Sequence, residues 1–373
     1  MNQLNKLFKV VFISDIHFGA IKPESLYYQL KQYFLKVLKN VKVDMVVIGG
    51  DLFHNIISMN YSTSYTILLF MQKLVNICIE NKVKYIRVIQ GTLSHDNNQL
   101  HNFHIYEDLT EIDFKIVLNV QEEILKEKIS ILYLPEEYIK DSKEYYNNYF
   151  KIPKKYDFIF GHGLIDEVAY YAEKQESEIT LAKAPVFKAK ELINACRGPI
   201  FFGHIHKNII IRKHIYYSGS FTRWKHGEEE DKGFYICIYN RKSTKYINKF
   251  LTNDLAPIYK KIVIDIYENT DVNKIDIGNI EADYIKLVLN NYTNSSYAID
   301  YITNLFKKKN NVKIEIKNLK ELKLISKKIE EDDLYDFVFD KSLTRNEIIQ
   351  KFIKLKYNKD ISLEDIKEEL RGD

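Results

Sequence analysis

The sequence predicts a layered α/β fold over residues 1–250, followed by a small α+β region and a helical tail. Three observations carry this. Five β-rich runs recur along the first part: FKVVFI (8–13), MVVIGG (45–50), YIRVIQG (85–91), FIFG (158–161) and PIFFG (199–203). Their near-continuous apolarity suits strands covered on both faces. Between the first three lie residues at helical spacing, namely Leu26, Leu30, Phe34, Val37 and Leu38, then Ile67, Phe70, Met71, Leu74 and Ile77. Strand–helix alternation of this kind argues for helices layered on a sheet. The third observation is a change of pattern near Pro257, where the apolar rhythm lapses.

The remaining elements follow in order. A hairpin-like pair is expected at 115–120 and 129–134. IIIRKHIYYSG and GFYICIY, β-branched and aromatic with no helix between them, read as extra strands closing one side of the sheet. Beyond a boundary at 251–257, IVIDIY (262–267), YIKLVL (284–289) and VKIEIK (312–317) surround the helix candidate SYAIDYITNLF, an α+β region over 255–335. In the tail, 340–373, Thr344-x-x-Glu347 and Ser362-x-x-Asp365 have the form of capping boxes, and Ile348, Ile349, Phe352 and Leu355 line one helical face. Two such short helices bury little alone, so they pack on the body or await a partner.

Composition narrows the class. With 46% hydrophobic residues, 28 Tyr and 21 Phe in 373 residues, the chain is no disordered or collagen-like polymer. No apolar run approaches the ~18–20 residues that cross a bilayer, and the N-terminus leads into a strand without a small-residue cleavage site. Cys78, Cys196 and Cys237 stand far apart among apolar neighbours, as buried thiols of a reducing compartment do. A soluble cytoplasmic protein is expected. A net charge of +4 does not announce a nucleic-acid binder. Nine lysines between Phe306 and Ile329, followed by Glu330, Glu331, Asp332 and Asp333, read first as a solvated face and second as a surface for duplex phosphates.

The chemistry gathers where the β-rich runs end. The first ends in Ser14-Asp15-Ile16-His17, the second in Gly50-Asp51-Leu52-Phe53-His54, and the third in Gly91-Thr92-Leu93-Ser94-His95-Asp96. The fourth ends in Gly161-His162-Gly163 and the fifth in Gly203-His204-Ile205-His206. Each tip alone is an ordinary turn. Together they place six of ten histidines at the C-terminal ends of strands expected in one sheet, the edge where open α/β sheets bind ligands. Carboxylates mixed with neutral imidazoles suit manganese first, with magnesium, iron or zinc also fitting, and suit calcium poorly. An aspartate bridging two cations roughly 3.5–4 Å apart favours in-line attack of water on phosphorus, so no Ser or Cys nucleophile is required. A histidine outside the ligand set can protonate the leaving oxygen.

In order and spacing, these motifs resemble those of the calcineurin-like metallophosphoesterases. GDLFH, Gly219-Ser220 and Lys232-Gly233-Phe234 are further similar to the SbcD-type recombination nuclease, the nuclease subunit of bacterial and phage repair complexes. The resemblance covers residues 8–250. It implies a β-sandwich flanked by helices, a DNA-capping domain at 255–335 and a docking segment at 340–373 for a coiled-coil ATPase of the SbcC type. It also implies a metal-dependent DNA exonuclease and endonuclease that works as a homodimer, without a membrane, in a bacterial or phage-infected cell. Asp15, His17, Asp51 and His206 are implied to hold one cation. Asp51 then bridges to a second cation held by His162, His204 and Ser94. His95 is the implied catalytic histidine, His54 the one that orients the scissile phosphate, and Asp96 a residue orienting His95. Arg223, Trp224 and Lys225 border the implied site as DNA contacts, with a plain surface turn the blander reading. His101 and His104 read as exposed or core residues.

One departure stands out. Ser94 takes the place of the family's usual Asn, in a loop two residues longer. A hydroxyl there predicts a looser second metal. Two alternatives accompany the nuclease reading: a phosphodiesterase or phosphatase for a non-DNA substrate, and a non-catalytic scaffold of the ATPase complex.

Overall fold

The computed structural model describes residues 7–57, 62–109, 111–139, 142–168, 185–275, 280–293, 296–307, 311–318, 345–357 and 362–364. The chain divides into two compact units, Met1–Lys260 and Lys261–Asp373.

In the first unit, β1 (Leu7–Ile13), β2 (Met45–Gly49), β3 (Tyr85–Ile89) and β4 (Asp113–Val117) lie side by side and parallel. β5 (Gln121–Ile124), β6 (Ser130–Leu134) and β7 (Phe158–His162) begin a second sheet. A short pair, β8 (Leu164–Ile165) and β9 (Val186–Phe187), precedes β10 (Ile200–Gly203), β11 (Ile209–Ile211) and β12 (Ile215–Tyr217). Finally β13 (Gly233–Asn240) and β14 (Lys245–Thr252) return antiparallel to the edge of the first sheet. The two six-stranded sheets run β14-β13-β1-β2-β3-β4 and β11-β12-β10-β7-β6-β5. The five β-rich runs are thus shared between two sheets, three in one and two in the other, and not gathered in one as expected. The expected hairpin is also corrected. β4 pairs with β3, and β6 takes its antiparallel partner from Gln121–Ile124.

Two-period alternation explains both the sandwich and the apolar runs. Phe8, Val10 and Phe12 of β1 face inward and meet Phe158, Phe160 and Phe201 of the opposite sheet, with Phe12 stacked on Phe160 and Phe201 at 6.0 and 5.3 Å between centroids. Val11 and Ile13 face outward into a second core. There they meet α1 (Pro23–Leu30), which continues through a π-helical turn at Lys31–Leu35 into α2 (Lys36–Asn40), and α3 (Ser62–Glu80). α4 (Ser142–Phe150) and α5 (Ala189–Ala195) cover the outer face of the second sheet through Tyr146, Phe150, Leu192 and Ala195. With both faces of each central strand dry, neither can carry a polar alternation.

One buried charge is an exception. Arg87 of β3 is fully buried and forms a fork with Glu123 (Nε–Oε2 3.0 Å, Nη2–Oε1 2.8 Å), while Nη1 reaches Asp113 Oδ1 at 3.0 Å. Burial would raise the Glu123 carboxyl, but Arg87, Lys115 and Tyr133 hold it down to about 2. Its contribution to stability is therefore present above about pH 4.5 and lost as pH falls toward 2. Glu123→Gln should cost on the order of 3 kcal/mol in denaturant unfolding at pH 7, with the difference shrinking below pH 4. An equal cost at both pH values contradicts this.

The second unit has β15 (Tyr259–Ile266), β16 (Tyr284–Asn291) and β17 (Val312–Asn318) in that order, with α6 (Ser296–Lys307) between the last two. β16 and β17 are parallel, and Ala298, Ile302 and Phe306 of the helix pack on Ile285, Leu287 and Leu289. α7 (Arg345–Tyr357) follows. Most of the lysine run, the acidic cluster Glu330–Asp333, Thr344 and Asp365 lie outside the described residues. Among the described residues no helix is long and apolar enough to cross a membrane.

Candidate metal centre

The strand tips that carry the candidate residues turn sharply. Asp15, His17, Asp51 and His204 hold positive φ of 51°, 51°, 50° and 96°, a region that costs L-residues energy and collects at functional sites. Backbone hydrogen bonds zip the tips of β1 and β2 together: Asp15 N to Gly50 O at 3.0 Å, His17 N to Asp51 O at 3.0 Å, Phe18 N to Leu52 O at 2.9 Å. Glycine is needed where the loops touch. A Cβ at Gly50 would lie 2.3 Å from His162 Nδ1, and one at Gly91 would lie 2.2 Å from Asp51 Oδ1.

Asp15, His17, Asp51 and His206, all buried, bring one ligand atom each within 4.8 Å of the others. His17 Nε2 stands 3.1 Å from His206 Nε2 and 3.6 Å from Asp51 Oδ2, and His206 Nε2 is 3.9 Å from Asp15 Oδ1. Two ring nitrogens at that distance share either a proton or a cation. Burial, the largest influence, pulls the His17 pKa well below the ordinary imidazole value and favours the neutral, ligating form. His206 is braced from behind. Its Nδ1 lies 3.5 Å from Glu228 Oε1, and buried Lys232 donates from Nζ to its carbonyl at 2.7 Å.

Glu136, His162 and His204 form a second group of donors. His162 Nδ1 donates to Gly49 O at 2.8 Å, which turns Nε2 toward Asp51 Oδ2 at 3.3 Å. Asp51 Oδ2 therefore faces both groups, while its Oδ1 accepts from Thr92 N at 2.7 Å. Burial would raise the Asp51 carboxyl, but His162, His95 and His17 hold it well below the usual range. The same carboxylates drive His162 the other way, well above the imidazole range against the pull of burial. Glu136 escaped the sequence reading although its signal was of the same kind, since ILYL (131–134) is a further apolar run that ends in Pro135-Glu136.

Three expectations are corrected here. Ser94 is exposed, because the longer loop turns back after Thr92, whose carbonyl accepts from His95 N and Asp96 N at 2.9 Å each. The buried hydroxyl is instead that of Thr92, 3.2 Å from Glu136 Oε2 and 3.5 Å from His204 Nδ1. Asp96 does not orient His95. It is buried and accepts from Gly91 N (2.7 Å), Asp51 N (3.0 Å) and Phe53 N (3.2 Å), so it ties the β2 and β3 loops together. Burial and the Asp51 charge push its carboxyl up to about 7. The Arg223 guanidinium is occupied by the carbonyls of Glu230 and Ala256, so it braces its loop instead of reaching outward.

The other candidates are placed as follows. His95 Nδ1 donates to the His54 carbonyl, and the His95 and His17 ring centroids are 4.8 Å apart. His17, His54 and His95 form a further nitrogen-only group, with His54 Nδ1 3.4 Å from His17 Nδ1. Trp224, half-buried, sets its ring 4.6 Å from that of His17 and 4.7 Å from that of His206. Lys225 lies near enough for its charge to help lower His54. His101 and His104 are an exposed pair at 2.8 Å, with His104 also bonded to Glu107.

Buried Asp15, Asp51 and Glu136 have no lysine or arginine paired with them among the described residues, and face imidazoles instead. Anionic oxygens and ring nitrogens so placed fit divalent cations, with Asp51 common to two positions. Cations held there would supply Lewis acidity toward a phosphoryl group and would acidify bound water to near neutrality. The protein's part is to hold the ligands dry and preformed, with the His95 ring beside that of His17. Trp224 is the single tryptophan, so titration with Mn2+ should quench its emission; an unchanged spectrum at saturating metal would contradict this placement.

Comparison with known proteins agrees. Among curated proteins none matches the chain. Residues 8–208, over half of the 373, match the calcineurin-like phosphoesterase family, and that stretch contains every donor in the two cation positions. With strand tips from two sheets converging on a carboxylate–imidazole cluster, the chain belongs to the calcineurin-like phosphoesterases and acts in metal-dependent hydrolysis of phosphoesters.

Proposed function

We propose that the chain is a DNA exonuclease and endonuclease, the SbcD-type subunit of a repair complex with a coiled-coil ATPase. It acts as a homodimer in the cytoplasm of a bacterial or phage-infected cell, with manganese as its metal. The observation that carries this reading is Trp224 lying against His17 and His206 with Lys225 beside it. A flat indole and a cation next to phosphoester chemistry suit an unstacked base and its backbone phosphate. Two further features support it. The second unit exposes Lys261, Lys313 and Lys317 on its three-stranded sheet, as phosphate contacts of a capping domain require. α7 lies within 340–373, the segment assigned to the ATPase.

The test is hydrolysis by the purified chain with Mn2+, Mg2+ or Zn2+, on linear, hairpin and closed circular DNA and on bis-p-nitrophenyl phosphate. Manganese-dependent loss of linear duplex and opening of hairpins is expected, with rates falling steeply as salt rises. Cleavage of the small diester alone would favour a phosphodiesterase with another substrate. Inactivity on all of them, with and without the ATPase, would favour a scaffold. Deleting residues 340–373 should spare metal binding and abolish association with the ATPase.

A further inference from the structure

We propose that Glu136 is an anionic ligand of the second cation, so that this position is built from two carboxylates and two imidazoles. The side chain is fully buried just beyond β6. Its Oε2 lies 3.0 Å from His204 Nδ1, 3.8 Å from His162 Nε2 and 3.2 Å from Thr92 Oγ1, while Oε1 accepts from Tyr138 OH at 2.7 Å. Asp51 Oδ2 completes the ring at 3.3 Å from His162 Nε2. Ligand atoms about 2.0–2.2 Å from a common ion stand roughly 3–4 Å apart, which is the spacing of Glu136 from His204 and His162 and of His162 from Asp51. With its Nδ1 on Gly49 O, His162 turns Nε2 toward Asp51 and Glu136.

The charge makes the case stronger. A carboxylate buried without lysine or arginine needs a counter-charge, and Glu136 shares this need with Asp51 across the His162 ring. A merely structural acceptor for His204 could be an amide at far lower desolvation cost. Glu136 thus fills the position for which the sequence suggested neutral Ser94, and the expectation of a looser second metal reverses. Two hard oxygen donors should draw manganese or magnesium in preference to softer cations.

Counting manganese tests this, and the count does not depend on whether DNA is the substrate. By equilibrium dialysis and calorimetry the full chain should bind two Mn2+, with the exchange-coupled electron paramagnetic resonance signal of a close pair. In Glu136→Gln, which keeps an oxygen able to accept from His204, the second Mn2+ should bind more than ~100-fold more weakly, beyond the ~10–100-fold that loss of an orienting acceptor alone costs. The first should bind as before and the coupled signal should fade, with circular dichroism unchanged. Glu136→Asp should recover part of the loss, and Ser94→Ala should match the parent. Two tightly bound and coupled Mn2+ in Glu136→Gln would overturn the proposal and leave Glu136 as a hydrogen-bond acceptor only. A parent that binds a single Mn2+ would overturn it equally.

Discussion

Asp51→Asn is expected to remove both cations and with them all measurable phosphoester hydrolysis. Asp51 Oδ2 is the atom that faces both donor groups, 3.6 Å from His17 Nε2 and 3.3 Å from His162 Nε2. The amide keeps an oxygen for Thr92 N, so the loops should stay folded. The sharper readout is thermal. Saturation at ~100 times the dissociation constant stabilises by about 2.7 kcal/mol per ion. At roughly 2–4 °C per kcal/mol for a unit of this size, two ions should raise the parent's melting temperature by ~10–20 °C over the chelated form. Asp51→Asn should show almost none of that rise. A variant that still gains stability from Mn2+ while losing activity would place the bridging charge elsewhere.

His95→Ala should separate chemistry from metal binding. Its Nδ1 is held by the His54 carbonyl, its ring lies 4.8 Å from that of His17, and it is outside the group of Asp15, His17, Asp51 and His206. Loss of a positioned general acid costs typically ~10²–10⁴-fold in kcat. The variant should therefore hold its Mn2+, keep the quenching of Trp224 and keep the metal-dependent melting shift. The defect should shrink for substrates with an activated leaving group such as p-nitrophenolate, which needs no proton. An equal defect on DNA and on the activated ester would argue that His95 stabilises charge on the phosphoryl oxygens instead.

Much of the fold could be read from local pattern. Phe8, Val10 and Phe12 alternate with Val11 and Ile13, and with Lys9 the single polar residue of the run, both faces read as dry beyond it. The helix stripes at Leu26, Leu30 and Phe34 and at Phe70, Met71 and Leu74 pack where their spacing put them. Division of the β-rich runs between two sheets was not legible, because a doubly covered strand looks the same in either. Likewise the strand at 113–117 gave no hint that it would pair with β3 and leave Gln121–Ile124 as the partner of β6.

At the site, residue chemistry at strand ends picked out Asp15, His17, Asp51, His162, His204 and His206 because those types are rare together at such tips. Which neighbour enters the cluster was a different matter. Thr92 and Ser94 stand two apart with the same hydroxyl, and a turn closing on the Thr92 carbonyl decided between them. Asp96 sits beside His95 in the chain yet bonds to backbone 43 and 45 positions away. Glu136 acquires its meaning from His162 and His204, which reach it from other strands of the sheet. Periodicity and composition are properties of neighbours along the chain, and they suffice for strands, helices and the rim where ligands gather. Convergence of charges is a property of neighbours in space. It depends on how each tip resolves its backbone strain, so Glu136 in and Ser94 out became visible once both sheets had closed on each other.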